Sequence, residues 1–427
     1  METAKRLDDI GEYYFSQKLR EIDEMNKAGK QVINLGIGSP DMPPHPDVIK
    51  TLHEEALKPN QHGYQNYKGS PVLRNAISKW YKKWYDVELN ADTEILPLIG
   101  SKEGIMHICM TYINEGDVVL IPNPGYPTYK AAAKIAGGKI IEYNLKEENN
   151  WFPDFSEIQN DLRASENLPH RGRFGGGRLM FVNYPQMPTG KLPTKELFIQ
   201  LIAFAKKHNI LIVHDNPYSF ILNDTPMSLL GVDGAKDVVI ELNSLSKSHN
   251  MAGWRIGMLV GAKERIDDVL RFKSNMDSGM FLPMQLAAAK ALELGKDWHN
   301  EVNKVYRVRR EKVFELLTLL NCSFDKNQAG LFVWASAPSD SKQNSKLLKS
   351  SKVSSSGGDL EGAGYELSDK ILQESNVFIT PGGIFGSAGN KYVRVSLCAT
   401  EQKIEEAIQR IKSGPSNSPG GEEQERN

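Results

Sequence analysis

Residues 241–257, ELNSLSKSHNMAGWRIG, hold the arrangement best suited to covalent chemistry. Lys247 follows an apolar run, DVVIEL, that reads as a buried strand. Hydroxyls at Ser244, Ser246 and Ser248 surround it, and Arg255 stands eight residues further on. An amine at a strand end, among small donors and beside a guanidinium, suits a Schiff base next to a bound phosphate. A lysine amine ordinarily titrates near pH 10.4. A neighbouring cation and desolvation both disfavour its ammonium and leave a reactive nucleophile. Most lysines are solvated surface groups, so the assignment depends on partners elsewhere in the chain.

Those partners cluster at the ends of other apolar runs. ILIVHDNPYSFI is the near-continuous apolar run that burial on both sheet faces requires, and it ends at His214-Asp215 with Tyr218 three residues on. A carboxylate there lies where open α/β sheets place their ligands. LMFVNYPQMPTG is a strand leading into a polar-proline turn that carries Asn183. DVVLIP leads to NPGYPTY, where Tyr126, between Gly125 and Pro127, can stack on a flat ring. TEILPLIG followed by SKEGIMHICMTYI puts Ser101 and Lys102 at the start of a helix, whose free N–H groups suit a phosphate. The turn lacks the GxxxxGK[ST] spacing of a nucleotide loop, so by itself it is a weak signal. In INLGIGSPDMPP, Gly38 allows close approach to the backbone. KYVRVSLC alternates, with Val393, Val395 and Leu397 on one face and Tyr392, Arg394 and Ser396 on the other. That pattern puts Arg394 on the non-core face, available to a carboxylate.

The elements that position these residues alternate between strand and helix from residue 94 onward, as in α/β proteins. Ahead of them, residues 13–30 have helical spacing through Phe15, Leu19, Ile22 and Met25. Ser70-Pro71 provides a cap and first-turn residue for another helix. Tyr64 and Tyr67 sit in the aromatic loop before it, Tyr67 as a packing residue. Helices are expected on both sides of an irregular turn at 274–281, then a long charged helix at about 297–320. Residues 163–178, rich in Gly and Arg, and 337–364, rich in Ser, Lys and Gly, read as polar excursions. Arginines in so short a loop are more often solvated than bound to RNA.

Lys+Arg of 52 against Asp+Glu of 53 leaves a net charge of -1, which gives no electrostatic argument for nucleic acid or an anionic membrane. Cys109, Cys322 and Cys398 are odd in number and widely spaced, matching neither a metal pattern nor a disulfide framework. With no apolar run of membrane or signal length, a cytoplasmic location and no membrane partner are expected.

Taken together, the candidates answer one demand. Pyridoxal 5'-phosphate needs a lysine, a carboxylate to keep its ring nitrogen protonated so that the ring is an electron sink, a donor for its ring oxygen, a flat neighbour and a phosphate cup. The chain also resembles a class I/II, fold-type I aminotransferase. SLSKSHNMAGWRIG is similar to the cofactor-lysine motif of that family, NYPQMPTG to its Asn-Pro-x-x-Pro-Thr-Gly turn, HDNPY to its Asp-x-x-Tyr strand end, and YVRVSL to its carboxylate-binding strand. Order and spacing agree from about residue 10 to 412. The resemblance implies a large α/β domain, 46–293, with a central mostly parallel sheet sandwiched by helices. It implies a smaller α+β domain from both chain ends, 1–45 and 294–413; the tail at 414–427 is expected to be disordered from its own polar, Gly/Pro-containing sequence.

For the site, the resemblance implies Lys247 as Schiff base and proton shuttle and Asp215 on the pyridine nitrogen. Asn183 and Tyr218 would meet the ring oxygen and Tyr126 would stack on the ring. Ser101, Lys102, Ser244, Ser246 and Arg255 would hold the phosphate. Arg394 would bind the substrate carboxylate, assisted by Gly38 and Asn183. Family members are dimers with shared sites, so Tyr64 and Asn275 would reach the partner's cofactor. IGSPDMPP, LPLIGSKEG, HDNPYS and KSNMDSGMF look most like the LL-diaminopimelate and aspartate/alanine-type branch, in which Tyr13 would touch substrate. Tyr184, Gln186 and Met187 depart from the Pro, Asn and Asn of many relatives and put the local geometry of that turn in question.

The implied reaction is a ping-pong transfer from an L-amino acid to a 2-oxo acid such as 2-oxoglutarate. A carbon–sulfur β-lyase on the same fold would keep every cofactor residue and is the alternative. A regulator on this scaffold would need a DNA-binding domain, for which the stretch before Gln31 is too short.

Overall fold

The computed structural model describes residues 2–8, 10–166, 178–338 and 362–414. The first elements are α1 (Tyr14–Lys27), β1 (Ile33–Asn34), α2 (Pro46–Ala56), α3 (Pro71–Tyr85), β2 (Ile95–Leu98) and α4 (Ser101–Tyr112). Then come β3 (Val118–Asn123), α5 (Pro127–Ile135), β4 (Lys139–Asn144), α6 (Phe155–Glu166), β5 (Arg178–Val182), α7 (Lys195–His208) and β6 (Ile210–Asp215). The site-bearing middle holds β7 (Val239–Ser244), α8 (Leu245–Ser248), β8 (Gly257–Gly261), α9 (Lys263–Lys273), α10 (Leu282–Leu292) and α11 (Lys296–Leu319). The chain closes with β9 (Phe332–Ser336), α12 (Ala363–Ser375), β10 (Val377–Phe378), β11 (Thr380–Pro381), β12 (Tyr392–Ser396) and α13 (Glu401–Ser413).

A seven-stranded sheet runs in the order β2-β8-β7-β6-β5-β3-β4. The strands from β7 through β4 pair in parallel, and β8 pairs antiparallel with both β2 and β7. Alternate residues of the central strands enter opposite apolar clusters: Met180, Val182 and Ile212 pack with Leu73, Ile77 and Trp80, while Phe181, Val213 and Leu242 pack with Ile105 and Ile108. Both faces are therefore covered, which is why the strands are apolar throughout. The C-terminal ends of β2, β3, β5, β6 and β7 share one edge, and the reversed β8 begins there. Arg255 is thus delivered to the edge where Ser101, Tyr126, Asn183, Asp215 and Lys247 end their strands.

A second, antiparallel sheet has the order β11-β12-β9, and β1 pairs in parallel with β10, tying Ile33 to Val377. Its apolar cluster includes Leu35, Val313, Leu317, Val333, Val393, Val395 and Ile404. Asp41 and Arg309 close this region with a two-pronged ion pair at 2.6 and 2.9 Å.

Several features differ from the sequence reading. The short, glycine-bounded β8 has too few residues to show a period, and α2, α5 and α6 escaped notice in loops dominated by aromatics and prolines. The excursions are narrower than 163–178 and 337–364, since Arg163 belongs to α6 and Arg178 opens β5. Residues 167–177, 339–361 and most of the expected tail lie outside the described residues. Arg394 does not stand on an open strand face. Every residue of β12 is buried, because the alternate face is covered as well: Arg394 lies against Phe332 and Phe385 and forms part of the wall of the site.

Candidate active site

The strand ends surround one cavity of about 350 Å³. Lys247, Ser101, Lys102, Tyr126, Asn183, Asp215, Tyr218, Ser244, Ser246, Arg255, Arg394, Gly38 and Tyr13 all line it. Tyr64 and Asn275 do not: Tyr64 is 97% exposed, and Asn275 is exposed on the loop after α9. These two loops touch each other through a bridge between Gln65 and Gly279.

Lys247 lies in α8, one turn long, which Ser244 caps by accepting from Ser246 N at 3.1 Å. Its Nζ donates to Gly38 O at 2.6 Å. Burial, above all, moves this amine's pKa downward, and the Arg394 and Arg255 cations add to the effect against Cys398 and Asp215. The expected driving forces are present, with desolvation the larger. Gly38 has a further role: a Cβ there would fall 2.1 Å from the Phe332 ring. The glycine accommodates Phe332 while offering its carbonyl to Lys247.

Asp215 ends β6 with its carboxylate enclosed. Oδ2 accepts from the Tyr129 hydroxyl at 2.6 Å, and Oδ1 is buried with no hydrogen-bond partner. Burial raises this carboxyl to about 6, against the lowering effect of Tyr129 and His214. Asn183 is held at both ends: Nδ2 donates to Asp215 O at 2.5 Å, and Oδ1 accepts from Met187 N at 2.8 Å. One amide hydrogen of Asn183 remains for a ligand. The unusual turn keeps its shape because Gln186 donates to Pro124 O at 2.9 Å and accepts from Thr189 N at 2.9 Å.

The anion cup forms where α4 starts. Gly100 holds φ +85°, and a Cβ on it would meet Arg255 Nη2 at 2.2 Å. Gly257 is equally crowded, with Ser101 N 2.6 Å from its Cβ position. The two glycines let Arg255 and the first amides of α4 converge. Ser244 Oγ and Ser246 Oγ lie 2.8 Å apart beside them. Ser248 belongs elsewhere, 2.8 Å from His249 Nδ1.

Arg394 is buried under aromatic rings, its guanidinium 3.8 Å from the centre of Phe332 and 4.5 Å from that of Phe385, with Phe15 beyond at 5.7 Å. Nη2 donates to Gly36 O at 2.9 Å, Nη1 lies 3.3 Å from Met187 Sδ, and Nε has no partner. Burial lowers its pKa to about 10. It stays a cation at neutral pH with donor capacity unspent, as a carboxylate clamp requires.

Sequence reasoning missed Tyr129, Phe15, Ile37, Met187, Pro217, Ala252, Phe332 and Phe385 in the lining. Tyr129 had a signal: it stands three residues after Tyr126, in the first turn of the helix that follows, and the two rings meet edge to face. The phenylalanines come from distant segments and carry no local mark.

This site tallies with what the chain is similar to. The model for aminotransferase class I and II matches residues 30–411. The chain belongs to the class I and II aminotransferases. This aminotransferase is 37% identical over 414 residues to an LL-diaminopimelate aminotransferase of Dehalococcoides mccartyi, covering 96% of this chain and 98% of the relative. It is 38% identical over 416 residues to the enzyme of the same name from Oleidesulfovibrio alaskensis, with coverage of 96% and 98%. Among solved structures, apo-BacF from Bacillus subtilis superposes with a TM-score of 0.85 at 33% identity over 97% of this chain and 98% of that one. An aminotransferase from Staphylococcus aureus does so with 0.80 at 30% identity over 96% and 98%. The fold is therefore that of class I and II aminotransferases, and the activity is amino-group transfer. The family's enzymes use pyridoxal phosphate. Among the described residues, no helix is long and apolar enough to cross a membrane.

Proposed function

We propose that this aminotransferase binds pyridoxal 5'-phosphate in the cavity and takes its amino group from LL-2,6-diaminopimelate, with 2-oxoglutarate as acceptor. The observation that carries the cofactor is Asp215 Oδ1, a buried carboxylate oxygen with no protein partner, facing the same cavity as Lys247 and the anion cup. A protonated ring nitrogen supplies the missing partner, and a phosphate fits the α4 amides, Ser244, Ser246 and Arg255. The donor is chosen on the names of the relatives. Aspartate and alanine are the other donors weighed, because Arg394 serves every α-carboxylate alike.

The residues then take distinct tasks. Lys247, Tyr126, Asn183 and Tyr218, which line the cavity together, would hold the cofactor: the lysine amine at its aldehyde, Tyr126 against its ring, and Asn183 and Tyr218 as donors to its ring oxygen. When bound, the cofactor supplies an electron sink for charge developing at the substrate's Cα. Arg394 fixes the substrate carboxylate, and Tyr13 and Gly38 narrow the space around it. Once the donor's own amine has taken its place, the freed Lys247 Nζ would accept the Cα proton as general base, a role favoured by its lowered pKa. The aromatic box around Arg394 keeps water off the clamp and strengthens its pairing.

A homodimer in the cytoplasm belongs to this reading, with Tyr64 and Asn275 reaching the partner's cofactor. Their exposure outside their own cavity supports it. The division into 46–293 and its two flanks is supported by the apolar clusters, one spanning Val48 to Leu292 and another built mainly from Ile33, Leu35 and Val302 onward. The test is a panel of amino donors with 2-oxoglutarate, following glutamate formation. Turnover of LL-diaminopimelate well above alanine and aspartate is expected; no turnover of it, with good turnover of either of the others, would overturn the choice of donor.

A further inference from the structure

Tyr129 carries an assignment that the tasks above leave open. It stands on α5 one turn after Tyr126, and its ring is held on both sides. It stacks on Phe181 with centroids 4.6 Å apart and planes 10° apart, and it meets the edge of Tyr126 at 5.5 Å and 84°. From that fixed position its hydroxyl reaches Asp215 Oδ2 at 2.6 Å. Among the described residues, no other side chain hydrogen-bonds this carboxylate. Tyr129 is 1% exposed and Asp215 5%, so water does not share the contact.

We propose that Tyr129 is a positioning residue for the transfer reaction: its hydroxyl fixes Asp215 in one orientation and as an anion, so that Oδ1 alone is presented to the cofactor's ring nitrogen. The inference rests on the pyridoxal phosphate reading. A carboxylate in an apolar enclosure tends to take up a proton, and as a neutral acid it cannot hold a ring nitrogen in its charged form. One short hydrogen bond from a neutral donor opposes that tendency without neutralising the charge. Burial keeps the Tyr129 phenol well above its ordinary range, so it remains a donor across the working pH. The other titratable groups acting on Asp215 are His214, the buried Glu241 paired with it at 2.8 Å, Lys247 across the cavity, and the phenols of Tyr126 and Tyr218. None of these makes a hydrogen bond to the carboxylate. Because Tyr126 is the N-cap residue of α5 and Tyr129 lies in its first turn, the residue that would cover the ring and the residue that steadies its anchor are tied to one helix start.

The experiment compares wild type, Tyr129→Phe, Asp215→Asn and the double variant, all as holoenzyme. Phenylalanine retains the stack on Phe181 and removes only the hydroxyl. Expected for Tyr129→Phe is roughly tenfold faster loss of cofactor on dilution and an acid limb of kcat/KM moved up by about one pH unit. The visible absorbance of the bound cofactor should shift its titration with it, while KM for the amino donor stays put. If Tyr129 acts through Asp215, adding Tyr129→Phe to Asp215→Asn costs nothing more; a packing role would make the two losses add. A Tyr129→Phe enzyme with wild-type cofactor retention and pH profile, or additive losses in the double variant, overturns the inference. Wild-type protein that retains no pyridoxal phosphate overturns the underlying cofactor reading instead.

Discussion

Replacing Arg394 with lysine isolates what the guanidinium contributes beyond charge. Arg394 is held from behind by Gly36 O, packed between Phe332 and Phe385, and left with an unpartnered Nε. A carboxylate arriving from the cavity can take two N–H groups of one planar fork. An ammonium offers a point charge on a flexible stem and cannot reproduce that geometry. A hydrogen bond to a charged group is worth about 1.5–3 kcal/mol, and each 1.4 kcal/mol is about tenfold in affinity, so losing one of the two weakens binding roughly 10- to 100-fold. Both substrates carry the same α-carboxylate. Arg394→Lys should therefore raise KM for the amino donor and for the 2-oxo acid by similar factors, with little change in cofactor content. Initial-rate kinetics with each substrate varied in turn, alongside the visible absorbance of the protein, measures both. A KM that rises for only one substrate, or for neither, would refute the clamp.

The remaining predictions concern the anchor, the cup and the lysine. Burial raises Asp215 to about 6, so in the cofactor-free protein the carboxylate is lost as pH falls through about 6. Affinity for pyridoxal phosphate, measured by equilibrium dialysis, should decline below that pH; a flat profile from 5 to 8 would contradict it. Since the folded value lies above the ordinary 3.8, this group's contribution to the stability of the cofactor-free fold is complete below 3.8 and disappears as pH rises through about 6. Thermal melts across that window carry the sign. Gly100→Ala places a methyl 2.2 Å from Arg255 Nη2 at φ +85°, where the backbone strain of a non-glycine residue alone is about 1–3 kcal/mol. Its cofactor dissociation constant should rise about tenfold or more, and an unchanged value would show that Arg255 is not part of the cup. Lys247→Met removes a buried amine disfavoured by desolvation, so turnover should vanish while the cofactor-free protein melts within about 2 °C of wild type or higher. A large fall in melting temperature would mean that the lysine is structural.

The site was legible where its chemistry sits at the end of a strand that looks like a strand. Asp215 and Lys247 follow apolar runs buried on both faces, and parallel pairing then brings those ends to one edge without further information. Arg394 was legible as a residue and misread in its surroundings, since strict alternation marks two faces but cannot say that the polar one will be roofed by Phe332 and Phe385. Gly38 was assigned to ligand approach, and the crowding it relieves is largely that of Phe332. Tyr129 was overlooked because α5 was not recognised as a helix, which hid the spacing that puts it beside Tyr126 and within reach of Asp215. Tyr64 and Asn275 fall outside their own cavity, and a single chain supplies no more than their exposure.

Lys247 is the residue expected to carry the cofactor. Reducing the purified holoenzyme with borohydride fixes the cofactor to whichever amine holds it, and peptide mass mapping then locates the adduct. One pyridoxyl group per chain is expected, on the peptide containing Lys247 and nowhere else. A label on Lys102 or on any other lysine, with Lys247 unmodified, would contradict it.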